Sequence, residues 1–163
     1  MSKFWVGIDN GVTGSICVLS KKECIHFSTP IKKEISYTKK KQFISRIDFK
    51  KFLECFSKET SFNNFSDNAI CIIERPMINP GRWKASMSAI RALEATLIAI
   101  EALQMPYRYI DSKEWQKALL PSGLKKEELK KTAVDVAKRL FPAIQTKDAD
   151  SILIAEYARR MQF

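Results

Sequence analysis

The sequence predicts an α/β domain in which helices flank a central β-sheet. Apolar runs typical of strands alternate with helical repeats, in the order strand, strand, strand, helix, strand, helix, strand and then helices. The chain has 163 residues, the length of one domain, so we expect a single domain over residues 1–163. Hydrophobic residues make up 45% of the chain, which suffices for a buried core and excludes a disordered protein.

The first three strands are expected to form a meander of hairpins. Residues 3–9 alternate apolar side chains in the manner of a strand and lead into a tight turn marked by Gly11 and Gly14. Residues 15–19 and 24–28 continue as the second and third strands. This order places Asp9, the last residue of the first strand, at one end of the sheet.

A basic segment and a first helix follow the meander. Residues 30–46 are polar, rich in lysine and without periodicity, which predicts a loop or mobile arm. Asp48 is expected to cap a helix, and residues 63–68 to form a turn-rich connector after it. The apolar residues that recur at helical spacing in this helix, and that we expect in the core, are Phe49, Phe52, Leu53 and Phe56.

The fourth and fifth strands enclose the longest helix. Residues 69–73 form an unbroken apolar run, typical of a strand covered on both faces, that ends directly at Glu74. A Pro/Gly loop leads to a helix over residues 84–103, and residues 107–110 form the fifth strand. The expected apolar stripe of the long helix comprises Ile90, Leu93, Leu97, Ile100 and Leu103.

Three helices complete the chain. Asp111 and Glu114 have the spacing of a capping box, which begins the first of them. The second is expected over residues 125–140, where Pro142 stops it, and the third begins around Asp148 and runs to Arg160.

Charge and cysteine usage restrict the possible functions. The 28 Lys and Arg residues exceed the 18 Asp and Glu residues, and the net charge of +10 favours an anionic partner such as nucleic acid or lipid. The single histidine and four widely spaced cysteines disfavour a zinc or haem site, so a metal would need oxygen ligands. No secretory signal or membrane-spanning run is recognised, and we expect a cytoplasmic protein with reduced thiols and no membrane partner.

Four carboxylates lie at the ends of predicted strands and helices, namely Asp9, Glu74, Asp148 and Asp150. If the first and fourth strands are neighbours, Asp9 and Glu74 lie side by side, and like charges that close need a compensating cation. Oxygen ligands favour Mg²⁺ or Mn²⁺, and a pair of such ions suits phosphodiester cleavage. Each acid taken singly could equally cap a turn or a helix, so it is their joint placement that favours a metal site.

Three segments resemble the acidic motifs of RuvC-type Holliday junction resolvases, most strongly those of the compact phage-type branch. The segments are residues 6–15 (VGIDNGVTGS), 72–76 (IIERP) and 147–155 (KDADSILIA), in the same order over nearly the whole chain. The resemblance implies an RNase H-like fold with a five-stranded mixed sheet flanked by helices. It also implies a homodimer that nicks four-way and other branched DNA with Mg²⁺, for which Mn²⁺ could substitute.

The resemblance further implies catalytic and metal-binding roles for Asp9, Glu74 and Asp150. The fourth acid of the family precedes the last by three residues, a position that Lys147 holds here. The nearest acid is Asp148, two residues before Asp150. Residues two apart on a helix diverge by roughly 200°, so Asp148 can share the metal only if it lies just outside the helix.

Basic residues close to these motifs are the expected DNA contacts. The loop after Glu74 offers Arg75, Arg82, Trp83 and Lys84, where Trp83 is equally compatible with stacking on an unpaired base and with a core role. The resemblance places basic residues lining the active site in the region that holds Lys113, Lys125, Lys126, Lys130 and Lys131, of which we select Lys113 and Lys125 as DNA contacts. The pair Lys130 and Lys131 is expected to be a solvated helix face.

Dimerisation and the competing interpretations rest on single features. Glu94, Leu97, Ile98 and Glu101 share a stripe where two-fold related helices could pair.

Residues 9–14 also match the D-x-G-x-T-G turn of actin-like ATPases, but those proteins need a second lobe that this chain lacks. A non-catalytic basic DNA- or RNA-binding module and a different RNase H-like nuclease remain as alternatives, and the former leaves the acidic motifs unexplained.

Overall fold

Five of the seven strands form the central sheet of the computed structural model, which describes residues 3–59 and 66–163. The strands are β1 (Phe4–Asp9), β2 (Ser15–Leu19), β3 (Cys24–Ser28), β4 (Ile31–Ile35), β5 (Phe43–Ile47), β6 (Ala69–Glu74) and β7 (Tyr107–Ile110). The helices are α1 (Phe49–Glu59), α2 (Trp83–Ala102), α3 (Ser112–Leu119), α4 (Lys126–Leu140) and α5 (Asp150–Arg160). Within these residues no helix combines the length and the apolar character that a bilayer crossing requires.

Strand β1 is the centre of the sheet, whose order is β3-β2-β1-β6-β7. It pairs antiparallel with β2 and parallel with β6, so the sheet is mixed, as predicted. The register pairs Ile8 with Ile73, and the next residues along the two parallel strands are Asp9 and Glu74. The expectation that these two carboxylates lie side by side is therefore confirmed.

Helices cover both faces of the sheet. On one face, Val6, Ile8 and Ile73 pack with Phe52 of α1 and Ile100 of α2. On the other face, a second apolar cluster joins the sheet to α3, α4 and α5. Its largest fully buried side chains include Leu19, Ile72, Trp115, Ile152 and Leu153.

Helix α5 approaches β1 more closely than side chains ordinarily allow. A Cβ atom on Gly7 would lie 2.1 Å from the carbonyl oxygen of Ser151 and 2.6 Å from the backbone nitrogen of Ala155. The hydroxyl groups of Ser15 and Ser151 form a buried hydrogen bond of 2.8 Å next to this contact. Glycine at position 7 thus lets the start of α5 lie directly on the central strand.

The segment over residues 30–46 differs from its prediction. It forms the antiparallel pair β4–β5 and not a loop or mobile arm. The pair is held by cross-strand backbone bonds and by ion pairs of Glu34 with Lys32 and Arg46, each 2.7 Å long. Most of its side chains are exposed, so the strands carry no apolar alternation that periodicity could detect.

The predicted apolar stripes of α1 and α2 face the core except for one residue in each helix. The buried side chains of α2 are Ser86, Ala92, Thr96, Ala99 and Ile100. Ile90 is 43% exposed and Phe49 of α1 is 40% exposed, so the expectation that they are core residues is wrong. The other residues of the predicted stripe of α2 that are not fully buried pack against the core; they are Leu93, Leu97 and Leu103.

The helix starts are confirmed with small shifts. The Asp48 carboxylate accepts a hydrogen bond from the Lys51 amide, and Asp111 and Glu114 form the capping box. Helix α5 begins at Asp150, two residues later than expected. Of the predicted connector over residues 63–68, residues 66–68 form a 3₁₀ turn and the others lie outside the described residues.

We expect Gly7→Ala to destabilise the fold by at least about 2–3 kcal/mol, because the new methyl group would overlap the backbone of α5. Chemical denaturation measures this loss. Gly81→Ala is the matched control, since its Cβ would meet only the Asn79 side chain, at 3.3 Å. Equal unfolding free energies for the two variants would contradict the close packing of α5 on β1.

Candidate metal centre

Three carboxylates converge at the end of β1. One oxygen from each of Asp9, Asp148 and Asp150 lies within 4.8 Å of the others, and all three side chains are half-buried. Glu74 ends the neighbouring strand, and its charge acts on Asp9. The structure therefore brings together all four acids that the sequence singled out.

The turn after β1 holds Asp9 in place. Gly14 folds back so tightly that a Cβ atom there would lie 2.0 Å from the carbonyl oxygen of Asp9. The Gly14 amide donates to the carbonyl of Gly11, and the Asn10 side chain donates to the Ala89 carbonyl of α2. The turn is thereby tied both to the sheet and to a helix.

Asp148 lies outside the regular helix. The hydroxyl of Thr146 donates to the Asp148 carbonyl at 2.6 Å and accepts from its amide at 3.0 Å. Ala149, not Asp148, is the N-cap residue of α5, and no side chain caps the helix. The angle of roughly 200° between side chains two residues apart holds only inside a helix. Because Asp148 precedes the helix, its side chain and that of Asp150 can face one site.

Burial and mutual repulsion make the cluster resist ionisation. Burial raises the pKa of Asp9 to about 8, and the charges of Glu74, Asp148 and Asp150 contribute to the shift. Burial, with the Asp148 charge, raises the pKa of Asp150 to about 6. Burial is the main cause that raises the pKa of Glu74 to about 7, and the Asp150 charge adds to it. Contacts of Glu74 with Trp115, Asp9 and Ser112 lower this pKa in part.

The donor set fits a hard divalent cation. It consists of carboxylate oxygens, is partly shielded from water, and lacks a positive charge sufficient to balance it. The indole nitrogen of Trp115 is buried close to Glu74 and has no hydrogen-bond partner that meets the usual distance and angle limits within the described residues. A cation among the carboxylates would offset both causes of their raised pKa values, the burial of the charged groups and their mutual repulsion.

Two further residues lie close to the carboxylates, and of these only His26 was not expected there from the sequence. The side chain of Lys130 is exposed, and its charge lowers the pKa of both Asp9 and Asp150, so it lies close to the carboxylates. His26 lies near Asp148, but burial is the larger effect and lowers the pKa of this histidine.

The predicted DNA contacts lie on the surface. Arg75 pairs with Asp111 at 3.0 Å and stacks over Tyr109, so it is already engaged. Trp83 is 66% exposed, which rules out a core role. The other predicted contacts are also exposed and form no ion pair within residues 3–59 and 66–163; they are Arg82, Lys84, Lys113 and Lys125.

Comparison with known proteins identifies the fold. No protein-family model and no curated protein matches the chain. Thermus thermophilus RuvC, solved in complex with a Holliday junction substrate, superposes with a TM-score of 0.59 and 14% identity over 98% of this chain and 96% of that chain. Thermus thermophilus RuvC in a second structure gives 0.54 and 15% over the same shares. The predicted RNase H-like fold is therefore confirmed.

The raised pKa values lead to a pH prediction for the metal-free protein. The folded-state pKa values of Asp9, Glu74 and Asp150 exceed those of the unfolded chain, so their stabilising effect is complete below pH 4 and is lost as the pH rises through 6 to 8. We expect the melting temperature in chelator to fall over this range.

Mg²⁺ should reverse this loss, because cations and protons compete for the same oxygens. We expect a larger rise in melting temperature at pH 8 than at pH 5.5, and Asp9→Asn should diminish both the pH dependence and the Mg²⁺ effect. Differential scanning fluorimetry measures all three. An Mg²⁺ effect that is the same at both pH values and survives Asp9→Asn would contradict this site.

Proposed function

We propose that residues 1–163 act as a single nuclease domain that cuts four-way and other branched DNA by paired, metal-dependent nicks. The convergence of Asp9, Asp148 and Asp150 beside Glu74 is the observation that carries this proposal. The fold is shared with a RuvC whose structure contains a Holliday junction substrate, which supports the choice of substrate. The net charge of +10 suits a polyanionic partner.

Asp9, Glu74, Asp148 and Asp150 would hold Mg²⁺, with Mn²⁺ able to substitute. Divalent ions bound there supply Lewis-acid stabilisation of the charge that develops on the phosphate and the leaving oxygen. The four acids come from two strand ends, a tightly bonded loop and a helix start, so their positions are set by rigid elements. The half-buried setting restricts water, which strengthens electrostatic interactions with a bound phosphate.

Basic and aromatic groups would position the DNA around the carboxylates. The Lys130 ammonium group is near enough to act on Asp9 and would also attract the phosphate to be cut. Arg82, Trp83 and Lys84 lie where α2 begins, after the loop that leaves Glu74, and the exposed Trp83 indole can stack on an unpaired base. Lys113 and Lys125 are exposed and available for phosphates, whereas Arg75 is held by Asp111.

The outer face of α2 is the surface we assign to homodimerisation. Ile98 is 49% exposed and lies between the exposed Glu94 and Glu101. A groove of about 400 Å³ separates this face from the β4–β5 hairpin, whose Ile35 and Tyr37 are also exposed. Two copies paired here would bring two equivalent sites to a two-fold symmetric junction.

Glu74→Gln should abolish nicking while preserving junction binding, because it removes a ligand charge without changing side-chain volume. We expect the cleavage rate in Mg²⁺ to fall by at least about a hundredfold. The assay uses synthetic four-way junctions, flaps and linear duplex, with gel mobility as the binding readout. Asp67→Asn, an exposed acid at the opposite end of the sheet, is the control.

Near wild-type cleavage by Glu74→Gln would reject the proposed metal site. Binding of junctions without nicking by the wild-type protein in Mg²⁺ or Mn²⁺ would instead support the non-catalytic basic module. Equal affinity for junction and linear duplex would reject the proposed substrate.

Asp148→Asn tests whether the fourth carboxylate takes part. Since Ala149 is the N-cap residue and the Thr146 bonds use the Asp148 backbone, the substitution should leave the melting temperature in chelator nearly unchanged or slightly higher. We expect it to eliminate nicking at ordinary Mg²⁺ concentrations and to raise the Mg²⁺ needed for any residual activity, as for Asp150→Asn. Titration of nicking rate against Mg²⁺ provides the measurement, and full activity of Asp148→Asn would reduce the site to three acids.

A further inference from the structure

Two adjoining grooves run between α4 and the loop that precedes α5. One, of about 330 Å³, is lined by Lys130, Lys131, Lys138 and Lys147. The other, of about 630 Å³, shares Lys138, Thr146 and Lys147 with the first. We call this continuous depression the lysine groove.

The lysine groove carries a concentrated positive charge. Its four lysines are exposed and form no ion pair within 4 Å in the described part of the chain, and Asp135 is the one acid among the lining residues. The lysines come from two separate elements, α4 and the loop, so a solvated helix face does not account for the arrangement. Ammonium groups gathered in one depression repel each other unless an anion neutralises them.

The lysine groove begins at the candidate metal centre. Lys130, at one end, acts electrostatically on Asp9 and Asp150. Thr146 lines both parts of the groove and also holds the backbone of Asp148. One wall of the groove is therefore the loop that carries one of the four acids.

The dimensions of the lysine groove match a short length of DNA strand. Lys130 and Lys138 are eight residues apart on one helix, which corresponds to about 12 Å along its axis. Phosphates follow one another about every 3.4 Å along the axis of one strand of a duplex. The distance thus spans about three to four phosphate steps.

We propose that the lysine groove binds the phosphate backbone of the DNA strand next to the phosphate at the metal centre, over about three nucleotides. This inference rests on the proposed function, since it takes branched DNA as the ligand. It assigns phosphate contacts to Lys138 and Lys147 in addition to Lys130, and Thr146 is placed to contact the same strand.

The test compares two double variants that remove equal charge. Lys138→Ala with Lys147→Ala alters the lysine groove, whereas Lys21→Ala with Lys22→Ala alters the turn between β2 and β3, at the other end of the sheet from Asp9. Affinity for a synthetic four-way junction is measured in chelator over a range of salt concentrations, so that cleavage plays no part. Melting temperatures verify that both variants fold, and arginine at positions 138 and 147 should restore binding.

We expect the groove variant to bind about 10- to 100-fold more weakly and to lower the salt slope by about 1.8, the equivalent of two phosphate contacts. The control should change the slope little. Equal losses in both variants, or no loss in the groove variant, would overturn the inference and leave the nuclease proposal intact.

A second measurement locates the contacts on the DNA. Single phosphates along a junction arm are replaced by uncharged methylphosphonates, and the wild-type protein should lose affinity at about three consecutive positions. The groove variant should be insensitive at those positions, and retained sensitivity there would refute the contacts. This pattern in a protein that never nicks DNA would support the lysine groove and refute the nuclease.

Discussion

The contact between Gly7 and the backbone of α5 is the constraint on which the candidate centre depends. Asp9 belongs to the central strand and Asp150 to the first turn of α5, so the spacing between them follows from how closely these elements pack. A larger residue at position 7 would push the helix away from the strand and separate the acids. The Ser15 and Ser151 hydroxyls lock the same contact with a buried hydrogen bond. Packing and metal binding therefore depend on the same few backbone atoms.

This arrangement brings negatively charged carboxylates close enough to repel one another. Four acids lie together where burial already disfavours charge, and the folded protein without a cation must keep some of them protonated or tolerate the strain. The surrounding surface has the opposite character, with a net charge of +10 and a lysine groove that reaches the acids through Lys130. A polyanion attracted by the lysines and a cation held by the acids would complement each other at one place.

Much of the sheet can be predicted from the sequence, because unbroken apolar runs and glycine turns leave few alternatives to β1, β2, β3, β6 and β7. Asp9 and Glu74 could be found because each ends such a strand, and Asp148 and Asp150 because they stand at or just before the start of the last helix. His26 could not be assigned to the site, because its nearness to Asp148 depends on the register of β3 in the sheet. The β4–β5 hairpin was missed because it has little buried surface and relies on backbone bonds and the Glu34 ion pairs. Ile90 and Phe49 differ from their predictions in the opposite way, because both continue the apolar periodicity of their helices but lie exposed on the surface.

Anomalous diffraction from crystals grown with Mn²⁺ is the most direct measurement of the central claim, that the fold assembles these acids into a divalent-metal centre. We expect manganese density among the carboxylates of Asp9, Asp148 and Asp150, next to Glu74, and its disappearance in Asp150→Asn crystals grown in the same way. Manganese density confined to other surfaces, with the four carboxylates contacting only water or each other, would contradict the claim.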